Sequence, residues 1–139
     1  MTIAAELRQQ LIEAAIAARQ RAYAPYSKFR VGAALVTNDG RLYTGANVEN
    51  VSYGLTNCAE RVALQTAVAT GARKVKGIAI ASSGGVTPCG ACRQVLAEFS
   101  ADCTIYLVDA DRPAAVATTT LAALLPQRFA AELEGLPPG

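Results

Sequence analysis

The sequence has no histidine and no tryptophan, and a single methionine. Without histidine, no imidazole serves as a triad base, a proton shuttle or a metal ligand. Excess charge of one sign is missing too. Lys and Arg number 13 against 11 Asp and Glu, a net charge of +2, and no basic block stands out. That leaves no electrostatic footprint for nucleic acid or for a membrane surface, so neither is an expected partner. No apolar run approaches the roughly 20 residues that span a bilayer. The start, Met1 to Glu6, lacks a basic region followed by an apolar stretch. A signal peptide is not expected, and the expected location is cytoplasmic. There is no internal repeat, low-complexity segment or linker, so residues 1–139 read as one domain.

Small side chains are abundant. Ala supplies 29 of the 139 residues. Small residues on helices let backbones approach closely, and a chain this apolar is a candidate to bury surface against copies of itself. Residues 3–22 have helical spacing, with Thr2 as the expected cap and Ala24-Pro25-Tyr26-Ser27 as the stop. Residues 29–37 and 41–49 read as strands joined by a hairpin turn at Asn38-Asp39-Gly40. A second helix is expected from Cys58 to Thr70, capped by Asn57 and stopped by Gly71. Residues 75–82 read as a buried strand. Pro88 fits the first position of a third helix running to Phe99. Strands at 103–109 and 115–119 and a short helix at 120–125 follow. The tail, Leu136 to Gly139, is expected to fray. The pattern predicts an α/β fold: a three-layer α/β/α sandwich around a five-stranded mixed sheet that begins with a β-hairpin.

Four cysteines in a reducing compartment read as metal-binding or catalytic before they read as disulfides. Cys58 opens one helix, and Cys89 and Cys92 share the first turn of another. A helix N-terminus favours the thiolate. If the two helix starts lie side by side, three thiolates converge, which is the donor set of a zinc site with one open position. Cys103 is a possible fourth ligand, but the third helix climbs away from the site by about 1.5 Å per residue. Cys103 begins the next strand at the far end and is expected to be a core residue. Glu60 lies two residues after Cys58, near the metal but on another azimuth, and suits a proton shuttle. Three thiolates and one Zn²⁺ sum to minus one. Arg61 or Arg93 is placed to donate to the sulfurs and offset that charge.

Cys58-Ala59-Glu60 followed by Pro88-Cys89-Gly90-Ala91-Cys92 resembles the zinc-dependent nucleoside and nucleotide deaminases. Pro25 to Leu35 resembles the first strand of the small homotetrameric cytidine deaminases. The stretch Asn47 to Arg61 is similar to the most specific segment of that family, and Pro88 to Val95 and Leu121 to Phe129 match as well. The resemblance implies one zinc per chain on Cys58, Cys89 and Cys92, at the N-termini of two helices. It implies that Glu60 moves protons while water activated at the metal attacks the ring carbon bearing the amino group. Asn47 and Glu49 would grip the ribose 3′-hydroxyl, and Phe29 would pack on the base. The Ala59 N–H would bind the base carbonyl and the Thr87 carbonyl the amino group. Tyr53 and Phe129 would complete a neighbouring subunit's pocket in a homotetramer, and Arg61 would compensate the thiolate charge. The implied reaction is hydrolysis of cytidine and 2′-deoxycytidine to the uridine nucleosides in pyrimidine salvage. The loop Ser82 to Thr87 is shorter and less acidic than the family pattern. Competing readings are a deaminase for a related nucleoside and a zinc-stabilised binding module without catalysis. Glu60 discriminates the second of these.

Overall fold

In the computed structural model, which describes residues 3–131, five strands form one mixed sheet in the order β2-β1-β3-β4-β5. The elements are α1 (Ala5–Arg19), β1 (Gly32–Thr37), β2 (Leu42–Ala46), α2 (Ala59–Ala69), β3 (Val75–Ser82), α3 (Gly90–Glu98), β4 (Thr104–Asp109), β5 (Val116–Thr120) and α4 (Leu121–Leu124). β1 and β2 form the expected antiparallel hairpin, with Gly40 at φ 86° in its turn. β1 pairs antiparallel with β3, β3 parallel with β4, and β4 antiparallel with β5.

The side chains alternate between two cores, which makes the fold three layers. Ala33, Leu35, Ile78, Ile80 and Ile105 face α2 and α3, while Ala34, Val36, Ala79, Ala81 and Val108 face α1. The central strands β1 and β3 are buried on both faces, as their near-continuous apolar runs require.

Several boundaries differ from the sequence reading. Helix α1 starts at Ala5 and its N-cap is Ala4, which makes no side-chain cap. Thr2 and the tail 136–139 lie outside the described residues. β2 stops at Ala46 rather than 49; the chain beyond stays extended through single bridges from Val48 to Tyr23 and Asn57. The loop 50–57 contains a short 3₁₀ turn, Tyr53–Leu55. The N-cap of α2 is Cys58 itself, whose backbone is extended (φ -71°, ψ 153°), and Asn57 turns its amide to Gln65 (3.1 Å). Pro88 sits before the N-cap Cys89 rather than inside α3. In both cases the thiol-bearing residue takes the extended backbone of a cap, which leaves its side chain free of the helix.

β2 and β3 run in the same direction, so α2 and α3, which follow them, begin at the same edge of the sheet. Cys103 lies at the opposite edge, just before β4, buried in the core with Ile105 and Leu121.

Candidate active site

The two helix starts bring Cys58, Cys89 and Cys92 together, with their sulfurs all within 4.8 Å of one another. Cys89 Sγ donates to Cys92 Sγ at 3.5 Å. A tetrahedral zinc with Zn–S bonds of about 2.3 Å spaces its sulfurs by about 3.8 Å, so small side-chain adjustments bring these three into a ligand set. A second observation fits the group. Arg61 donates from Nη2 to Cys58 Sγ at 3.3 Å, yet its buried Nε–H has no hydrogen-bond partner among the described residues. A guanidinium held beside thiolates with a donor to spare suits a site of net negative charge.

The electrostatics follow from this packing. Cys58 accepts from the Cys92 thiol and from Arg61, and these contacts pull its pKa down to about 5 against the effect of burial. Cys92 is pushed the other way, chiefly because its hydrogen bond to Cys58 needs the proton and then by burial. Glu60 is buried, 5% exposed, on the first turn of α2. Burial, then the Cys58 thiolate, raises its pKa, so the carboxyl holds a proton more readily than an ordinary glutamate. A buried acid at a helix start is not a solvated surface group. Ala59, fully buried, is the first residue of α2, so its N–H belongs to the turn that has no intrahelical acceptors.

Arg93 does not reach the sulfurs. It donates from Nε to the Pro88 carbonyl (2.8 Å), from Nη1 to the Leu124 carbonyl (2.9 Å) and from Nη2 to Thr87 Oγ1 (3.3 Å). It thus clamps the approach to Cys89, Thr87 included, onto the end of α4. Of the two arginines considered from sequence, Arg61 alone donates to a thiol.

The second cluster surrounds the loop 24–31. Asn47 is buried and uses its amide on that loop: Nδ2 donates to the Phe29 carbonyl (2.8 Å) and Oδ1 accepts from the Val31 N–H (2.9 Å). Glu49 Oε1 accepts from the N–H groups of Tyr26 (2.9 Å) and Ser27 (3.1 Å), and Oε2 accepts from the Ser27 hydroxyl. The Ser27 hydroxyl is the largest influence holding the Glu49 carboxyl below its ordinary pKa. Lys28 adopts φ 61°, the left-handed region, which few non-glycine residues occupy. Phe29 follows it and is 40% exposed rather than buried in the core. Tyr53 (75% exposed) stacks edge-on against Tyr26 with ring centroids 5.9 Å apart, and a cavity of about 250 Å³ lies between Tyr26, Ser27, Glu49, Tyr53 and Thr56. Phe129 is 80% exposed; its carbonyl accepts from Gln94 of α3 (3.0 Å). Ser27 and the clamping role of Arg93 carried no chemical signature in the sequence, because an isolated hydroxyl in a turn and a helix arginine are both commonplace.

A larger cavity, about 680 Å³, opens at the opposite edge of the sheet beside Cys103, Asp102 and Arg128. Size does not make it the reaction site, because it holds none of the clustered thiols.

Three thiols on two helix starts, a buried acid in the first turn of α2 and an arginine on the sulfur define a metal-dependent enzyme site. Residues 5–108 match the family model described as the cytidine and deoxycytidylate deaminase zinc-binding region. The chain belongs to that family. It is 52% identical over 128 residues to a cytidine deaminase of Halalkalibacterium halodurans, covering 90% of this chain and 96% of that protein. It is 47% identical over 127 residues to a cytidine deaminase of Sporosarcina psychrophila, covering 89% of this chain and 92% of that one. The crystal structure of a cytidine deaminase from Burkholderia pseudomallei superposes with a TM-score of 0.83 at 49% identity, over 93% of this chain and all of that one.

Proposed function

We propose that this chain, acting as a single domain, hydrolyses cytidine and 2′-deoxycytidine to uridine and 2′-deoxyuridine with release of ammonia, a step of pyrimidine salvage. The observation that carries the reading is the three-thiol group with Glu60 buried beside it.

Cys58, Cys89 and Cys92 would hold one zinc, with Arg61 offsetting the thiolate charge. Zinc, when bound, supplies Lewis-acid activation of water at neutral pH. Glu60 takes a proton from the attacking water and passes it to the pyrimidine ring nitrogen, then takes the proton of the hydroxyl newly formed on the ring carbon and delivers it to the departing amine. Burial, which raises its pKa, helps the carboxyl hold a proton between the two transfers. The Ala59 N–H binds the base carbonyl and the Thr87 carbonyl receives the amino group. Phe29 packs on the base. Glu49 and the unused hydrogen of the Asn47 amide grip the ribose 3′-hydroxyl. A carboxylate at that hydroxyl disfavours a phosphodiester there, which argues against a polynucleotide substrate.

The chain assembles as a homotetramer in which Tyr53 and Phe129 complete a neighbouring subunit's pocket. The exposure of both rings, with Val51 and Leu55 exposed beside Tyr53, supports this. A cytoplasmic location accords with four unpaired cysteines.

The test is an absorbance assay with cytidine, deoxycytidine, their monophosphates and adenosine side by side, on native protein and on Glu60→Gln. Turnover of the two nucleosides alone, abolished in Glu60→Gln with metal content and melting temperature unchanged, is the expected result. Turnover retained by Glu60→Gln refutes the shuttle, and preference for a monophosphate refutes the nucleoside assignment.

A further inference from the structure

We infer that Ser27 is a positioning residue that couples the sugar end of the substrate site to its base end. This rests on the reading of Glu49 and Phe29 given above. A serine hydroxyl has one donor and two acceptor positions. Ser27 uses both kinds at once. Its O–H donates to Glu49 Oε2, and its Oγ accepts the Phe29 N–H at 3.0 Å. The side chain that holds the carboxylate therefore also holds the backbone of the aromatic residue.

The rest of the loop is built around that bridge. The Phe29 carbonyl is held by Asn47 Nδ2 at 2.8 Å, so the peptide groups on both sides of Phe29 are fixed. The Lys28 N–H donates to the Ala24 carbonyl at 3.0 Å, closing the turn that places Lys28 at φ 61°. With Lys28 in the left-handed region, the chain reverses between Ser27 and Phe29, and this lets one hydroxyl face both. Glu49 keeps two backbone donors, from Tyr26 and Ser27, both on Oε1. Oε2 has the Ser27 hydroxyl. Removing that hydroxyl frees Oε2 to rotate and leaves the Phe29 N–H without its acceptor, while the turn's backbone contacts remain.

The geometry predicts a specific kinetic signature. Ser27→Ala should raise KM for cytidine about tenfold, the scale of one hydrogen bond to a charged group, with kcat changed less than threefold. Ser27→Thr keeps the hydroxyl and should stay within twofold of native. Glu49→Ala with 2′-deoxycytidine and 2′,3′-dideoxycytidine measures the sugar grip separately, since the two differ only at the 3′-hydroxyl. In the Glu49→Ala background the further change Ser27→Ala should raise KM by a smaller factor than in native protein, because only the Phe29 contact is then left to lose. Melting temperature and metal content, measured on every variant, read any loss of fold.

An unchanged KM in Ser27→Ala overturns the inference. So does an equal KM increase with and without Glu49, or a Ser27→Thr variant as impaired as Ser27→Ala. A Glu49→Ala variant that treats the two substrates as native protein does overturns the sugar-grip reading instead.

Discussion

Replacing Gly45 by alanine should damage the metal site from a distance. Gly45 lies on β2 opposite Ala33, on the face that packs against α2. A Cβ built there would lie 2.4 Å from the Ala63 nitrogen, 2.6 Å from the Ala59 carbonyl oxygen and 3.0 Å from Ala63 Cα. All three are backbone atoms of α2, so no rotamer relieves the clash. Non-bonded heavy atoms sit best at about 3.5–4.0 Å, so α2 must retreat by about 1 Å. Overpacking of this kind costs about 1–3 kcal/mol, and the rigidity of the partner atoms argues for the upper end. For a domain of this size 3 kcal/mol lowers Tm by about 10 °C. The retreat also carries Cys58, the N-cap of α2, away from Cys89 and Cys92 on α3. Metal sites tolerate errors of about 0.2 Å, far less than this displacement. Purified Gly45→Ala protein should therefore hold well under one metal per chain by elemental analysis. Gly32→Ala is the comparison. Its Cβ would meet α1, 2.1 Å from the Ala15 carbonyl oxygen and 2.4 Å from the Arg19 nitrogen, on the other face of the sheet. It should lower Tm comparably yet keep its metal. A Gly45→Ala protein that melts like native, or that loses stability but keeps full metal as Gly32→Ala does, refutes the claim that the depth of α2 sets the sulfur geometry.

Cys103→Ala should keep full metal content and activity and lose about 1 kcal/mol in urea unfolding, whereas Cys89→Ala should lose the metal; the reverse pattern overturns the ligand set. Burial raises the Cys103 pKa to about 11, so the thiol stays protonated through pH 8 and the native protein should resist alkylation there at this residue. Because the folded pKa lies above the ordinary thiol value, protonation favours the folded state, and this contribution fades as pH rises through about 11. Alkylation of Cys103 at the rate of a free thiol at pH 8 would contradict its placement. Lys28→Gly should leave stability unchanged or raise it by up to about 1 kcal/mol, because φ 61° strains a side-chain-bearing residue and not glycine. A loss of more than 1 kcal/mol would show that the Lys28 side chain, not its backbone, matters to the loop.

The two cysteine segments were legible because their chemistry is local. A helix start and i to i+3 spacing bring Cys89 and Cys92 together without knowledge of the fold. Adding Cys58 required only that two helices begin at one sheet edge, which the strand–helix order implies. The placement of Cys103 at the opposite edge likewise follows from helix rise alone. What sequence could not supply was the choice among equivalent donors. Arg61 and Arg93 each follow a ligand segment, yet one reaches a sulfur and the other grips Pro88, Thr87 and Leu124. That outcome depends on where α4 ends, a contact between residues 31 apart. Asn47 and Glu49 looked like two groups on one face of a strand. Instead the strand ends at Ala46, and both side chains fold onto the 24–31 loop, since a polar loop with unpaired N–H groups competes for them.

The abundance of alanine has a use inside the single chain. Ala59, Ala63 and Ala67 recur every four residues on α2, and each is fully buried. Any larger residue along that stripe would hold the helix off the sheet, as a Cβ on Gly45 would. Contact at this depth needs small residues on both partners, glycine on β2 and alanine on α2. Ala59 is the first residue of the stripe and the residue between Cys58 and Glu60. Its fit against β2 therefore fixes the height of a thiol on one side and of the buried carboxyl on the other. A composition that suggests surface for self-association thus also serves to seat one helix start. The exposed side chains of Val51, Tyr53, Leu55 and Phe129 lie outside the stripe.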